Sequence, residues 1–196
     1  MKRQGKVNPL WIILGVIGLI VIITFSSFIG MYNSLQVMDE SVTSSWSQVE
    51  NQLQRRGDLI PNLVNTVKGY ASHEKEIFIS VAESRSKLSG AVKAGNMKEI
   101  NAAEAQMTGA LSRLLAIAEN YPQLKADRVF INLQDELAGT ENRIAVARRD
   151  YNEMVRALNS KTRVFPTNII AGMIGIEKRD YFEADEGKKE VPEVKF

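Results

Sequence analysis

The chain contains no cysteine and one histidine, His73. The first absence excludes disulfides, thiol catalysis, iron–sulfur clusters, cysteine-bound zinc and a lipid-modified cysteine. The second excludes a metal held by a pair of histidines. Charge is missing over a long stretch. From Val7 to Met38, 32 residues, there is no Asp, Glu, Lys or Arg, which excludes a plain soluble protein. The remainder is nearly balanced, 25 basic against 23 acidic residues, so no nucleic-acid footprint is present and no nucleic-acid partner is expected. These absences favour a scaffold or binding protein over an enzyme.

What the gap contains is apolar. Leu10 to Ile29 reads LWIILGVIGLIVIITFSSFI. Twenty helical residues rise about 30 Å, the hydrocarbon thickness of a bilayer, and only a helix satisfies its own backbone there. Trp11 and Tyr32 lie near the two ends, where amphipathic rings sit. Thr24, Ser26 and Ser27 can bond back to helix carbonyls or across to a partner helix. A cleaved signal peptide is the alternative. It fits the basic start but not the length of the run, since such segments carry about 7–15 apolar residues, and no clear small-x-small site follows. Lys2, Arg3 and Lys6 precede the span, whereas its far side begins with Asp39 and Glu40. The expected topology is single-pass in the inner (cytoplasmic) membrane, N-terminus cytoplasmic, main domain periplasmic or extracellular.

Beyond the span the periodicity is helical, with almost no strand signal. Val42, Val49, Leu63 and Tyr70 recur at multiples of seven, with Arg56 at the missing position. Trp46, Leu53, Ile60 and Val67 form the interleaved row, and the two rows together make a coiled-coil seam. No strong stop separates the span from this seam, so one helix of about 60 residues is allowed, roughly 90 Å if straight. A second helix is expected from near Ser72 as N-cap to the Gly95 stop, burying Ile77, Val81, Leu88 and Ala91. A third runs from about Met97 to Glu119 on Ile100, Met107 and Leu114, and Asn120-Tyr121-Pro122 ends it. A fourth, from about Leu124 to Thr162, carries Phe130, Leu137, Ile144, Tyr151 and Leu158 in one row and Leu133, Thr140, Ala147 and Met154 in the other. Short links favour antiparallel neighbours. The expected fold is all-α: a single N-terminal transmembrane helix followed by an antiparallel bundle of about four long helices. By residue the divisions are 1–9, a short basic segment; 10–31, the transmembrane helix; 32–182, the bundle domain; and 183–196, a charged flexible tail. Thr167 to Ile176 is apolar and either packs on the bundle or touches lipid or a partner subunit.

Several of these residues resemble signatures of the LemA family. Arg55-Arg56-Gly57-Asp58-Leu59-Ile60-Pro61-Asn62-Leu63-Val64 is similar to its RRxDLIPNLV motif, extended by Lys68-Gly69-Tyr70-Ala71 and His73-Glu74. Thr140-Glu141-Asn142-Arg143-Ile144-Ala145, Ala147-Arg148 and Tyr151-Asn152 resemble the second signature. Phe165-Pro166 and Tyr181-Phe182-Glu183 resemble the carboxyl-terminal marks. The resemblance implies a bacterial protein anchored by one N-terminal helix and folded as a helical bundle, with some relatives linked to magnetosome formation. It implies an architecture rather than a reaction.

No catalytic constellation emerges. His73-Glu74-Lys75-Glu76-Ile77 starts like HExxH, but Ile77 stands where the second zinc-binding histidine is needed. Phosphate-cradling and dinucleotide glycine motifs are absent, and nothing aligns Ser, His and Asp for nucleophilic attack. No cofactor and no metal are expected. The candidates are structural or partner-binding: Arg55, Arg56, Asp58, Pro61, Asn62, Glu141, Asn142 and Arg143. Pro61 has no N–H to give the Gly57 carbonyl, and a kink near Gly57–Pro61 is expected. Arg56 falls on the apolar seam, where an unpaired charge costs several kcal/mol. Its available partners are the Gly57 carbonyl and Glu141, the best carboxylate on the fourth helix, while Asp58 faces solvent or Arg143. A buried pair that sets register, a partner-binding cluster and a snorkelling Arg56 all remain open.

The expected function is a non-enzymatic membrane-anchored scaffold that self-associates in the bacterial envelope. Gly15, Gly18, Ser26 and Ser27 on the anchor, the seam above it and the apolar stretch near the end all favour association. The alternative is an adaptor or regulator of an integral membrane enzyme, such as an envelope-stress protease. The expected partners are the lipid bilayer and further copies of the chain, with another membrane protein under the alternative.

Overall fold

The computed structural model describes residues 9–182. Lys2, Arg3 and Lys6, and the tail from 183 with Glu183, lie outside the described residues. Among the described residues every regular element is helical: α1 Pro9–Tyr70, α2 Lys75–Ala94, α3 Met97–Ala118, α4 Pro122–Lys125, α5 Arg128–Lys161 and α6 Thr167–Ile174. The four long helices expected from periodicity are present, with two short ones added.

Span and seam form one helix. α1 runs for 62 residues with Pro61 inside it. It is the one described helix long and apolar enough to cross a membrane. The span's hydroxyls bond locally: Thr24 Oγ1 donates to the Ile20 carbonyl and Ser27 Oγ to the Ile23 carbonyl, each at 2.8 Å. Each of these two polar hydrogens thereby finds an acceptor without a second chain.

Two helix starts differ from expectation. α2 begins at Lys75 rather than near Ser72, because a turn intervenes in which Glu74 N–H donates to the Ala71 carbonyl and Lys75 N–H to the His73 carbonyl. α5 begins at Arg128 rather than Leu124. Pro122 opens the separate one-turn α4, and the Asp127 carboxylate then accepts from the N–H groups of Val129 and Phe130 at 2.7 and 3.2 Å. That is an N-cap, and it sets the start of α5. The other boundaries follow the sequence signals. Gly95 closes α2 in the left-handed conformation at φ 67°, and Asn96 caps α3.

The chain forms two compact units, and α1 and α5 contribute to both. The larger comprises Val42–Val155 with the chain from Asp180. Within it Trp46 meets Tyr151 edge-on at 5.5 Å, and Arg56 meets Glu141. Ten residues forward on α1 are ten back on α5, so the two helices are antiparallel. In the same way Ser80 faces Arg113 and Lys87 faces Gln106 across α2 and α3. Its core is made of the seam rows: Val42, Val49, Leu53, Ile60, Leu63 and Val67 of α1 against Val81, Ile100, Met107, Leu114, Leu137 and Ile144.

The smaller unit comprises the chain up to Ser41 with Arg156–Arg179. Leu35 is its one fully buried α1 side chain among the described residues, alongside buried Leu158, Asn159, Thr167, Ile170 and Ala171. The Asn159 side chain grips the Arg179 backbone, donating to its carbonyl and accepting from its N–H at 2.9 Å each. The Arg179 guanidinium pairs with Asp39 at 2.9 Å.

Candidate functional site

Arg56 occupies a seam position on α1, so the helix period turns it inward among apolar rows. Its side chain is 6% exposed. Nη1 donates to Glu104 Oε1 of α3 at 2.8 Å and lies 2.8 Å from Glu141 Oε2 of α5. Nη2 donates to Thr108 Oγ1 at 3.1 Å. Arg148, two turns beyond Glu141 on α5, completes the group, with Nη2 2.6 Å from Glu104 Oε1. Two guanidinium groups and two carboxylates from three helices thus cancel in charge. Glu104 is the hub, 6% exposed and shared by both arginines, whereas Glu141 is 40% exposed and closes the rim. Burying the charges of Arg56 and Glu104 in a seam is tolerable only because each has an opposite partner within ion-pair distance.

Arg148 is held from its other face as well. Its guanidinium carbon lies 4.4 Å from the Phe182 ring centroid, a cation–π arrangement. The Phe182 and Trp46 ring centroids are 6.3 Å apart, so the segment Asp180–Phe182 packs beside the α1–α5 aromatic contact. Neighbouring α5 residues clamp that segment. Asn152 donates to the Phe182 carbonyl and accepts from the Phe182 N–H, each at 2.8 Å, and Tyr151 Oη donates to the Asp180 carbonyl at 3.0 Å. The motif fragments Arg56, Glu141-x6-Arg148, Tyr151-Asn152 and Phe182, far apart in sequence, therefore meet in one place.

The other candidates lie elsewhere. Arg55 is at the surface, paired with Glu136 at 3.0 Å. Arg143 donates to Thr140 Oγ1 at 3.2 Å and is 3.9 Å from the same Glu136. The carboxylate beside Arg143 is therefore Glu136 and not Asp58, because Thr140 and Glu136, one and two turns back on α5, share its face. Asp58, Asn62 and Asn142 are exposed and Pro61 is half-buried. Asn142 and Arg143 line a groove of about 470 Å³ with Ser45, Gln48 and Gln52 of α1. The Gly57 carbonyl is not a partner of Arg56. It accepts from Arg85 Nε of α2 at 2.8 Å, while the Arg56 guanidinium turns to Glu104 and Thr108.

Glu104 and Arg148 are the two members that the sequence candidates omit. Glu104 stands four residues after Ile100, on the row continued by Leu111 and Ala118, so seam alternation on α3 locates it. Arg148 follows the seam residue Ala147, and only the fold directs it inward. Among the described residues no three His, Asp or Glu gather in a way that would hold a metal ion.

The sequence profile of the LemA family matches residues 45–196. The magnetosome protein MamQ 2 of Paramagnetospirillum magneticum (strain ATCC 700264 / AMB-1) is 26% identical over 205 residues, covering 93% of this chain and 75% of the relative. MamQ of Magnetospirillum gryphiswaldense is 24% identical over 204 residues, covering 92% and 75%. Protein LemA of Metamycoplasma hominis is 26% identical over 160 residues, covering 81% and 72%. The profile takes in the whole polar cluster and the clamp, and ahead of it lies the apolar stretch of a membrane anchor: the chain belongs to the LemA family.

Proposed function

We propose that this protein is a non-enzymatic, membrane-anchored scaffold that self-associates in the bacterial envelope. The observation that carries the reading is the polar cluster itself. Arg56, Glu104, Glu141 and Arg148 are engaged with one another across three helices, an arrangement that sets helix register and gives each carboxylate of the cluster a guanidinium partner. Relatives named for an organelle, the magnetosome, rather than for a reaction support a scaffold over an enzyme. Association would use the anchor, where Gly15 and Gly18 present no side chain and one bilayer plane holds copies side by side. The test is to purify the full chain in mild detergent and in nanodiscs and compare it with a chain beginning at Asn33. A multi-subunit particle from the first and smaller species from the second are expected; a full chain that stays monomeric at micromolar concentration would overturn the scaffold.

The main domain faces away from the cytoplasm in this reading, on the strength of Lys2, Arg3 and Lys6 before the span. Ser89 is exposed, and the chain has no native cysteine. Ser89→Cys should therefore react with an impermeant maleimide in intact cells or spheroplasts; reaction only after lysis would place the domain inside. A second reading, an adaptor of an integral membrane enzyme, is favoured by the exposed Arg55–Glu136–Arg143 group beside the α1–α5 groove. A heterologous protein co-purifying in fixed stoichiometry would support it.

A further inference from the structure

α6 is apolar on both sides, and only one side is covered. Thr167, Ile170 and Ala171 face inward and are buried. Ile169 and Met173, four residues apart and so on one face, are 54% and 71% exposed. Phe165, in the turn just before the helix, is 75% exposed, and Val164 beside it is also exposed. The exposed Gly172 lies between Ile169 and Met173 on the same side. Four large apolar side chains are thus exposed on a segment that folds with the membrane-proximal part of α1.

The level of that segment is fixed within its own unit. Every α1 residue from Leu10 to Gly30 is exposed, and Leu35 is the first to be buried. Five residues of helix rise about 8 Å. Leu158, Ile170 and Ala171 are buried in the unit where Leu35 is the one fully buried α1 side chain, and Arg179, just past α6, pairs with Asp39, so α6 belongs with the turns of α1 that directly follow the apolar span. Arg156–Arg179 carries five basic residues and one acidic, Glu177. Lys161 and Arg163 stand immediately before Val164 and Phe165, and Lys178 follows the helix. Apolar and aromatic side chains ringed by cations, at headgroup depth, match an anionic lipid surface better than a protein face.

We propose that α6 with the Val164–Phe165 turn is a second membrane contact, lying in the headgroup layer with Phe165, Ile169 and Met173 in the acyl boundary and Lys161 and Arg163 on acidic phosphates. This rests on the reading of Leu10–Ile29 as a transmembrane anchor. The contact holds the part of the smaller unit that follows the span against the bilayer surface, so the span is not a free tether.

The absence of native cysteine makes single-site labelling clean. An environment-sensitive fluorophore is placed in the full chain at Met173→Cys, and separately at Gly172→Cys, which keeps all four apolar side chains; a Cβ at Gly172 meets no atom within 4 Å. Ile20→Cys reports the span and Ser89→Cys the water-exposed bundle. The proteins are reconstituted in phosphatidylcholine vesicles containing a minority of phosphatidylglycerol. Lipid nitroxides sit either near the headgroup or near the chain end. Blue-shifted emission at 172 and 173, with loss of intensity greater from the shallow nitroxide than the deep one, is expected, while position 20 is quenched by the deep one and position 89 by neither. Position 20 quenched with 172 and 173 red-shifted and unquenched would overturn the proposal and leave the anchor standing. Blue shift at 172 and 173 without lipid quenching would overturn it in favour of a second copy of the chain covering the face. An unquenched position 20 would overturn the anchor, and the proposal with it.

Discussion

Arg85 Nε donates a 2.8 Å hydrogen bond to the backbone carbonyl of Gly57, the carbonyl that Pro61 leaves without its helical N–H. A proline inside a helix removes one ladder bond and frees an acceptor one turn back. Here α2 supplies the missing donor, and the defect becomes a link between α1 and α2. Arg85→Ala should therefore destabilise the bundle by about 1 kcal/mol. In a Pro61→Ala background, where the backbone N–H returns and the helix serves its own carbonyl, the same change should cost less. Urea denaturation of the four chains measures the coupling; equal costs in both backgrounds would show that Arg85 does not serve this carbonyl.

The shared position of Glu104 predicts an asymmetry around Arg56. Arg56→Ala leaves buried Glu104 with Arg148 and the Thr108 hydroxyl and should cost about 3–5 kcal/mol. In double-mutant cycles the coupling of Arg56 to Glu104 should exceed its coupling to Glu141, because solvent screens the half-exposed Glu141 carboxylate. Equal couplings would place the two carboxylates in equivalent surroundings and contradict the hub.

Two glycines on long helices should respond in opposite directions. Gly57 has open space where a Cβ would stand and lies inside α1, so Gly57→Ala should stabilise by about 0.5–1 kcal/mol. Gly95 closes α2 at φ 67°, where an L side chain meets the following carbonyl, so Gly95→Ala should cost about 1–2 kcal/mol. Thermal or urea midpoints separate the two signs.

Tyr70 Oη donates to Asp127 Oδ2 at 2.7 Å, joining the end of α1 to the N-cap of α5. The hydrogen bond from Tyr70, with those from the Phe130 and Val129 N–H groups, holds the Asp127 carboxyl below its ordinary value. The bond to Asp127, then desolvation and the Asp127 charge, raise the Tyr70 phenol. A depressed carboxylate contributes stability that is present above its unfolded value, about 3.9, and lost as pH falls through the lower folded one. A raised phenol contributes stability that is present below about 10 and lost as pH rises through its folded value. Asp127→Asn keeps a capping oxygen but removes the charge. It should flatten the acid limb of the stability profile and bring the Tyr70 ultraviolet titration down toward its ordinary value. A Tyr70 titration unmoved by the change would break the assignment.

Much of this architecture is legible in the sequence alone. Heptad spacing locates the buried faces of α1, α3 and α5, because burial on a straight helix depends only on angle. It places Arg56 inside for the same reason, and the absence of a stop between the span and Val42 allows one helix to carry both. Start positions are harder to read. Ser72 and Leu124 look like helix beginnings, but the competing turn at Ala71–Lys75 and the stronger cap at Asp127 decide them. Partner identity is legible only in part. Glu141 is read from the fourth helix and lies 2.8 Å from Arg56, but the buried partner Glu104 depends on which other helix lies beside α1 and at what height, and a single sequence does not carry that. Glu104 stands on a seam row in plain view, yet short alanines around it make that row look too weak to bury a charge.

The Asn152 amide contacts Phe182 as one strand contacts another, through N–H and C=O, and Tyr151 reaches the Asp180 carbonyl likewise. Such a grip is blind to the side chains of residues 180 and 181. Substitution at those two positions is cheap, whereas Asn152 holds both backbone groups of Phe182 and the ring at 182 meets Trp46 and Arg148. The segment therefore keeps its place when the side chains at 180 and 181 change, and loses it when Asn152 or the ring at 182 does.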